Sequence, residues 1–145
     1  MDDLKTKRID HIGIAVKSIE DRISFFADFL GMEVQGEELL AERGLKIAIL
    51  KIGETKIELL EPIDPNSQIS RFIEKRGEGI HHIAFNVTDI DTAFKNARED
   101  GYTPLSDSPS AGAGNTRIVF LHPKTTGGVL VELVEGSHKG ASNDE

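Results

Sequence analysis

Cysteine is absent from the 145-residue chain, as is tryptophan, and the aromatic complement is seven Phe and one Tyr. The lack of thiols excludes a disulfide scaffold, a thiolate metal site, an iron–sulfur cluster and a cysteine nucleophile. It fits a reducing compartment, and a cytoplasmic location is expected. No apolar run approaches the roughly 18 residues of a membrane span, and the opening MDDLKTKRID lacks the apolar core of a signal peptide. Basic charge is in deficit: 17 Lys and Arg stand against 25 Asp and Glu, a formal net charge of −8. That balance argues against a general nucleic-acid binder, whose affinity depends on displacing counterions with a basic surface. A chain this long buries a sizeable core as one domain, and residues 1–145 are expected to form one.

What is present is a repeat. IDHIGIAVKSIEDRISFFADFLG, starting at Ile9, aligns with IHHIAFNVTDIDTAFKNAREDG, starting at Ile80. At this offset of 71, His11 falls on His82, Val16 on Val87 and Ile19 on Ile90. Each segment predicts a strand followed by an amphipathic helix, with Ser18 and Thr88 as N-caps and Asp21 and Asp91 three places on. IGETKIELLE and TGGVLVELVE align at a slightly larger offset, 74, which places Glu58 on Glu132. Each half has room for two strands in between, at 33–39 and 45–50 in the first and at 103–105 and 116–121 in the second. The fold expected is α+β: two tandem β-α-β-β-β modules, about 8–62 and 79–135, forming a cupped mixed sheet. A linker helix is expected at about 66–76 and a polar tail at 136–145, where His138 has no assigned role.

Side chains alternate faces along a strand. Ile12, Ile14 and Val16 form one face of the first strand, and His11, Gly13 and Ala15 form the other. In the second module His81, Ile83, Phe85 and Val87 oppose His82, Ala84 and Asn86. A face carrying one histidine followed by small residues leaves space, as a cavity wall does. Glu58 and Glu132 lie opposite apolar neighbours in their strands, where an unpaired buried carboxylate is costly. His11, Glu58, His82 and Glu132 are therefore the candidate metal ligands. Imidazole with carboxylate suits a divalent ion of borderline hardness: Co²⁺, Mn²⁺, Ni²⁺ or Zn²⁺. Asp10 and His81 fall on the helix side, where local hydrogen bonding is expected. Glu54, Glu61 and Glu135 are expected to be solvated; Lys46, Arg117 and Lys124 are candidates to meet phosphates or a substrate carboxylate, with an ordinary solvated charge the preferred reading of each. Gly112, Gly114 and Asn115 predict a mobile loop near the site.

From about Arg8 to Glu135 the chain resembles the vicinal oxygen chelate superfamily, the glyoxalase-like fold, and within it the methylmalonyl-CoA epimerases. IDHIGIAV, IELLEP, GEGIHHIAFNV and FLHPKTTGGVLVEL carry the likeness. The resemblance implies His11, Glu58, His82 and Glu132 as metal ligands, with Glu58 standing where members often carry glutamine. It implies interconversion of (2R)- and (2S)-methylmalonyl-CoA through a metal-stabilised enolate, with Co²⁺ favoured, an acyl-CoA partner and a homodimer. Glu132 is the first candidate for the catalytic base and Glu58 the second. One position departs from the pattern: some members carry a second catalytic glutamate where this chain has Ile47. That departure leaves Glu58, Glu42 or a water as alternatives. The rival readings are a glyoxalase I-like lactoylglutathione lyase and a non-enzymatic binding member. The lyases typically place an arginine where this chain has Ala15, and the binding members typically lose ligands retained here.

Overall fold

In LKIAIL and KIELL apolar side chains pack on both faces of the strand, and the computed structural model describes residues 5–136 of the resulting fold. Among these residues two compact units emerge, His11–His81 and a second built from residues 5–10 together with 82–136.

In the His11–His81 unit, the His11–Ala15 end of strand β1 (Thr6–Ala15) leads into helix α1 (Ile19–Ser24), followed by β2 (Glu33–Leu40), β3 (Leu45–Ile52) and β4 (Thr55–Pro62). The ladder runs β2-β3-β4-β1, antiparallel except for the parallel β4–β1 pair. Ser18 caps α1 by accepting from the Asp21 amide at 3.3 Å, as its sequence position predicts. The helix then passes into a π turn, Phe25–Phe29, in which the Leu30 amide donates to the Phe25 carbonyl at 3.0 Å. Ile12, Ile14, Val16, Ala48, Leu50, Ile57 and Leu59 pack with Ile19, Ile23 and Phe26 on the α1 side. Helix α2 (Gln68–Arg76), capped by Ser67, lays Ile69, Phe72 and Ile73 on Ala15, Leu45, Ile47, Ile49 and Leu60. The linker helix thus covers part of the face expected to be open. Ala15 is small because a helix packs on it.

In the other unit, β5 (Gly79–Val87), α3 (Ile90–Glu99), β6 (Ser110–Ala111), β7 (Arg117–Leu121) and β8 (Val131–Glu135) follow in turn. Within this unit the ladder runs β5-β8-β7-β6, with a parallel β5–β8 pair. Val87, Ile90, Ala93, Ala97, Val119, Leu121 and Leu133 form the core under α3. Both halves thus carry the β-α-β-β-β order and the mixed parallel and antiparallel pairing expected.

Two local readings are corrected. The cap of α3 is Asp89 rather than Thr88, and its carboxylate accepts from the Thr92 amide at 3.1 Å. The Thr88 amide instead donates to the Lys5 carbonyl at 3.1 Å. The strand expected at 103–105 is reduced to a single bridge between Pro104 and Leu121. The bonds of that bridge run from the Leu105 amide to the Phe120 carbonyl at 2.8 Å and from the His122 amide to the Thr103 carbonyl at 2.7 Å, and the next strand pairing with β7 is in the two-residue β6. The residues expected to form a mobile loop make the β6–β7 turn, closed by a hydrogen bond from the Gly112 amide to the Thr116 carbonyl at 3.0 Å. The tail beyond Gly136, with His138, lies outside the described residues.

Candidate active site

Each unit builds one buried histidine–glutamate pair. In the first, the β1–β4 register sets Gly13 beside Glu58, and the β3–β4 register sets Ile49 on its other side. The Glu58 Oε1 lies 3.6 Å from the His11 Nε2. In the second, Ala84 and Phe120 flank Glu132, whose Oε1 lies 3.0 Å from the His82 Nε2. The His82 ring also stands edge-on to Phe120, with centroids 5.4 Å apart. Exposure is 6% for His11, 8% for Glu58, 6% for His82 and 5% for Glu132. Gly13 and Ala84 are themselves related by the offset of 71, so the repeat extends to the register in which each glutamate is held.

Such pairs need a reason, because desolvating an imidazole and a carboxylate together seldom adds stability. The donor geometry supplies one. Two ligand atoms each about 2.1 Å from a divalent ion stand about 3.0 Å apart at a right angle and about 3.4 Å apart at a tetrahedral angle. The 3.0 Å separation matches the first arrangement, and the 3.6 Å separation lies slightly beyond the second. Nitrogen with carboxylate oxygen is also the donor chemistry that borderline ions accept.

The surrounding polar residues differ from expectation. Glu61 and Glu135, expected to be solvated, are half-buried and do the same work in their respective units. The Ile19 amide donates to the Glu61 Oε1 and the Ile90 amide to the Glu135 Oε1, each at 2.8 Å. Each glutamate thus satisfies the first amide of a helix from the strand that carries the buried Glu58 or Glu132. The signal was present in the twinned segments ELLE and ELVE, in which both glutamates recur at the offset of 74. Asp10 is bonded beyond its neighbourhood: the fully buried Asn86 donates its amide nitrogen to the Asp10 Oδ1 at 3.0 Å and to the Gly136 carbonyl at 2.9 Å. These two acceptors fix which way the Asn86 amide points. His81 stands edge-on to Phe72 of α2, with ring centroids 5.0 Å apart. Arg117 is held by Asp91 in a two-pronged ion pair at 2.9 and 3.0 Å, which keeps the Asp91 carboxyl below its ordinary range. Lys124 is exposed, as is Glu54.

Ile47 is 2% exposed within the core under α2, so that place carries no acid–base group. Opposite it on β2 is Glu38, half-buried, a carboxylate that sequence reading passed over because β2 lacks clean alternation. The register shift between Val34 and Gly36 obscures which of its residues share a face.

A paired β-α-β-β-β architecture with twinned histidines and glutamates defines a class. The profile of the glyoxalase/bleomycin resistance protein/dioxygenase superfamily matches residues 10–120, and the chain belongs to that superfamily. Within it the chain is similar to the mitochondrial methylmalonyl-CoA epimerase of Mus musculus, 38% identical over 130 residues, covering 89% of this chain and 73% of that one. The solved methylmalonyl-CoA epimerase of Mycobacterium tuberculosis superposes with a TM-score of 0.86 at 38% identity, over 92% of this chain and 91% of that one. A variant of the Streptomyces coelicolor methylmalonyl-CoA epimerase in complex with 2-nitronate-propionyl-CoA gives 0.86 at 40% identity, over 91% and 99%. Among the described residues no helix is long and apolar enough to cross a membrane.

Proposed function

We propose that this chain is a methylmalonyl-CoA epimerase that interconverts the 2R and 2S forms by removing and returning the α-proton. The observation that carries the reading is the pair of buried histidine–glutamate contacts in equivalent strand registers, in a chain similar to epimerases along most of its length. In this reading His11, Glu58, His82 and Glu132 serve one divalent ion, and modules 8–62 and 79–135 act as one domain. When bound, that ion supplies Lewis acidity to the thioester and carboxylate oxygens, where enolate charge develops.

Inversion needs an acid–base group on each side of the α-carbon. Glu132 takes the first role. Its carboxylate is held between Ala84 and Phe120 and in contact with His82, an apolar and pre-positioned setting. Glu58 takes the second, since Ile47 offers no proton-carrying group. The apolar flanks of Ile49 and Phe120 limit water beside the two carboxylates. Co²⁺ is the favoured ion, the working form a homodimer, and the location cytoplasmic.

The test is an assay of (2R)-methylmalonyl-CoA inversion with added Co²⁺, Mn²⁺, Ni²⁺ or Zn²⁺, beside a hemithioacetal assay for lactoylglutathione lyase. Metal-dependent inversion, with solvent deuterium entering the α-position, is expected. Turnover of the hemithioacetal alone would replace this reading with the lyase. Binding of less than a tenth of an equivalent of Co²⁺ would replace it with a non-enzymatic binding role.

A further inference from the structure

An acyl-CoA with a free carboxylate is strongly anionic, and so is this protein, with its net charge of −8. Beyond the proposed metal ion, basic side chains near the site are the groups that can offset that repulsion. Arg117 is committed to Asp91. Lys46 pairs in register with Glu61, on the face that packs under α1, away from Glu58. The strand registers single out another group. Lys51 stands directly opposite Lys56 across β3 and β4, and Lys56 stands beside His11 across β4 and β1. Residues paired in register share a face, and the face repeats every second residue. Lys51, Lys56 and His11 therefore form one row on the face that carries Glu58, and the next row is Ile49, Glu58 and Gly13.

Like charges set directly opposite each other weaken a sheet. Glu33 pairs in register with the far side of Lys51, whereas the half-buried Lys56 meets no carboxylate in register, only the Lys51 ammonium and the His11 imidazole. Among the described residues neither lysine forms an ion pair. A basic row that lowers sheet stability, placed one step from a buried His11–Glu58 contact, gains a purpose if an anion completes it.

We propose that Lys56, assisted by Lys51, is the anion-docking site for the charged oxygens of the acyl-CoA substrate, either its phosphates or its malonyl carboxylate. The proposal rests on the reading of the His11–Glu58 face as the reaction site.

Two probes separate the two sources: free coenzyme A, which has phosphates but no malonyl carboxylate, and the methylmalonyl thioester of N-acetylcysteamine, which has the carboxylate but no phosphate. Calorimetry on the metal-loaded protein is run for the natural chain, Lys56→Ala, Lys56→Arg, the double variant Lys51→Ala/Lys56→Ala, and Lys46→Ala as an opposite-face control. Lys56→Ala is expected to weaken one probe about tenfold, the loss of about 1.4 kcal/mol. Lys56→Arg should restore most of the affinity, and Lys46→Ala should change neither probe. Loss with coenzyme A assigns the phosphates, and loss with the thioester assigns the carboxylate. Unchanged affinity for both probes in the double variant overturns the proposal, as does an equal loss in Lys46→Ala. The probe affinities are read without turnover. A chain that binds coenzyme A through Lys56 yet fails to epimerise would sink the activity while leaving the docking site standing.

Discussion

Glutamine in place of Glu58 or Glu132 keeps an oxygen that can face a metal but loses the capacity to take a proton. The two substitutions therefore separate ligand from base. Glu132→Gln should keep its metal and lose about 100-fold or more in kcat, the usual scale for a missing general base. If Glu58 is chiefly a ligand, Glu58→Gln should retain most activity. If it is the second base, as Ile47 in the core implies, it should fall as far as Glu132→Gln. Steady-state kinetics at saturating Co²⁺ measures both. His11→Ala and His82→Ala should each weaken metal binding strongly with little change in melting temperature. Neither imidazole belongs to the apolar clusters under the helices, and calorimetric titration with Co²⁺ reads the loss.

At the scale of the element, the matched bonds from the Ile19 and Ile90 amides to Glu61 and Glu135 join each helix to the strand bearing a site glutamate. Glu61→Ala and Glu135→Ala should each cost about 1 kcal/mol, the usual net worth of such a bond, and the glutamine variants should cost less because the carbonyl still accepts. Urea denaturation measures both series. Asp89 adds a pH dependence. Its carboxyl is held below the ordinary 3.8, first by the Thr92 amide and then by the Thr92 hydroxyl. A lowered folded-state value means the stabilisation is complete above 3.8 and disappears as the pH falls through the lower folded value. Asp89→Asn should flatten that part of the acid limb while leaving a capping side chain in place. Thermal melts between about pH 6 and about pH 2 check it.

At the scale of the whole molecule, Ile90 is fully buried at the start of α3 and packs with Val87, Val119 and Leu133. Ile90→Ala should cost about 2–5 kcal/mol by opening a cavity there, read as a fall in the denaturation midpoint. The metal reading makes its own demand. One shared ion binds at one equivalent per chain, whereas two independently acting His–Glu pairs would bind two. Metal content measured beside an inversion assay distinguishes them.

Much of this protein was legible from the chain alone. The repeat is written in matched residues, so the order of elements, the twin histidines and the twin glutamates could all be read by alignment. Period-two alternation then assigned Ile12, Ile14 and Val16 to a helix-packed face. What alternation cannot supply is which residue stands beside which, or what packs on a face, because both depend on contacts between segments distant in sequence. Tertiary structure therefore decided that α2 covers Ala15 and Leu60, that Asn86 reaches Asp10, and that Glu61 and Glu135 turn from solvent to a helix amide. It also placed Lys56 between Lys51 and His11. A strand's own pattern sets its faces, whereas its neighbours are set by the lowest-energy register of the whole ladder.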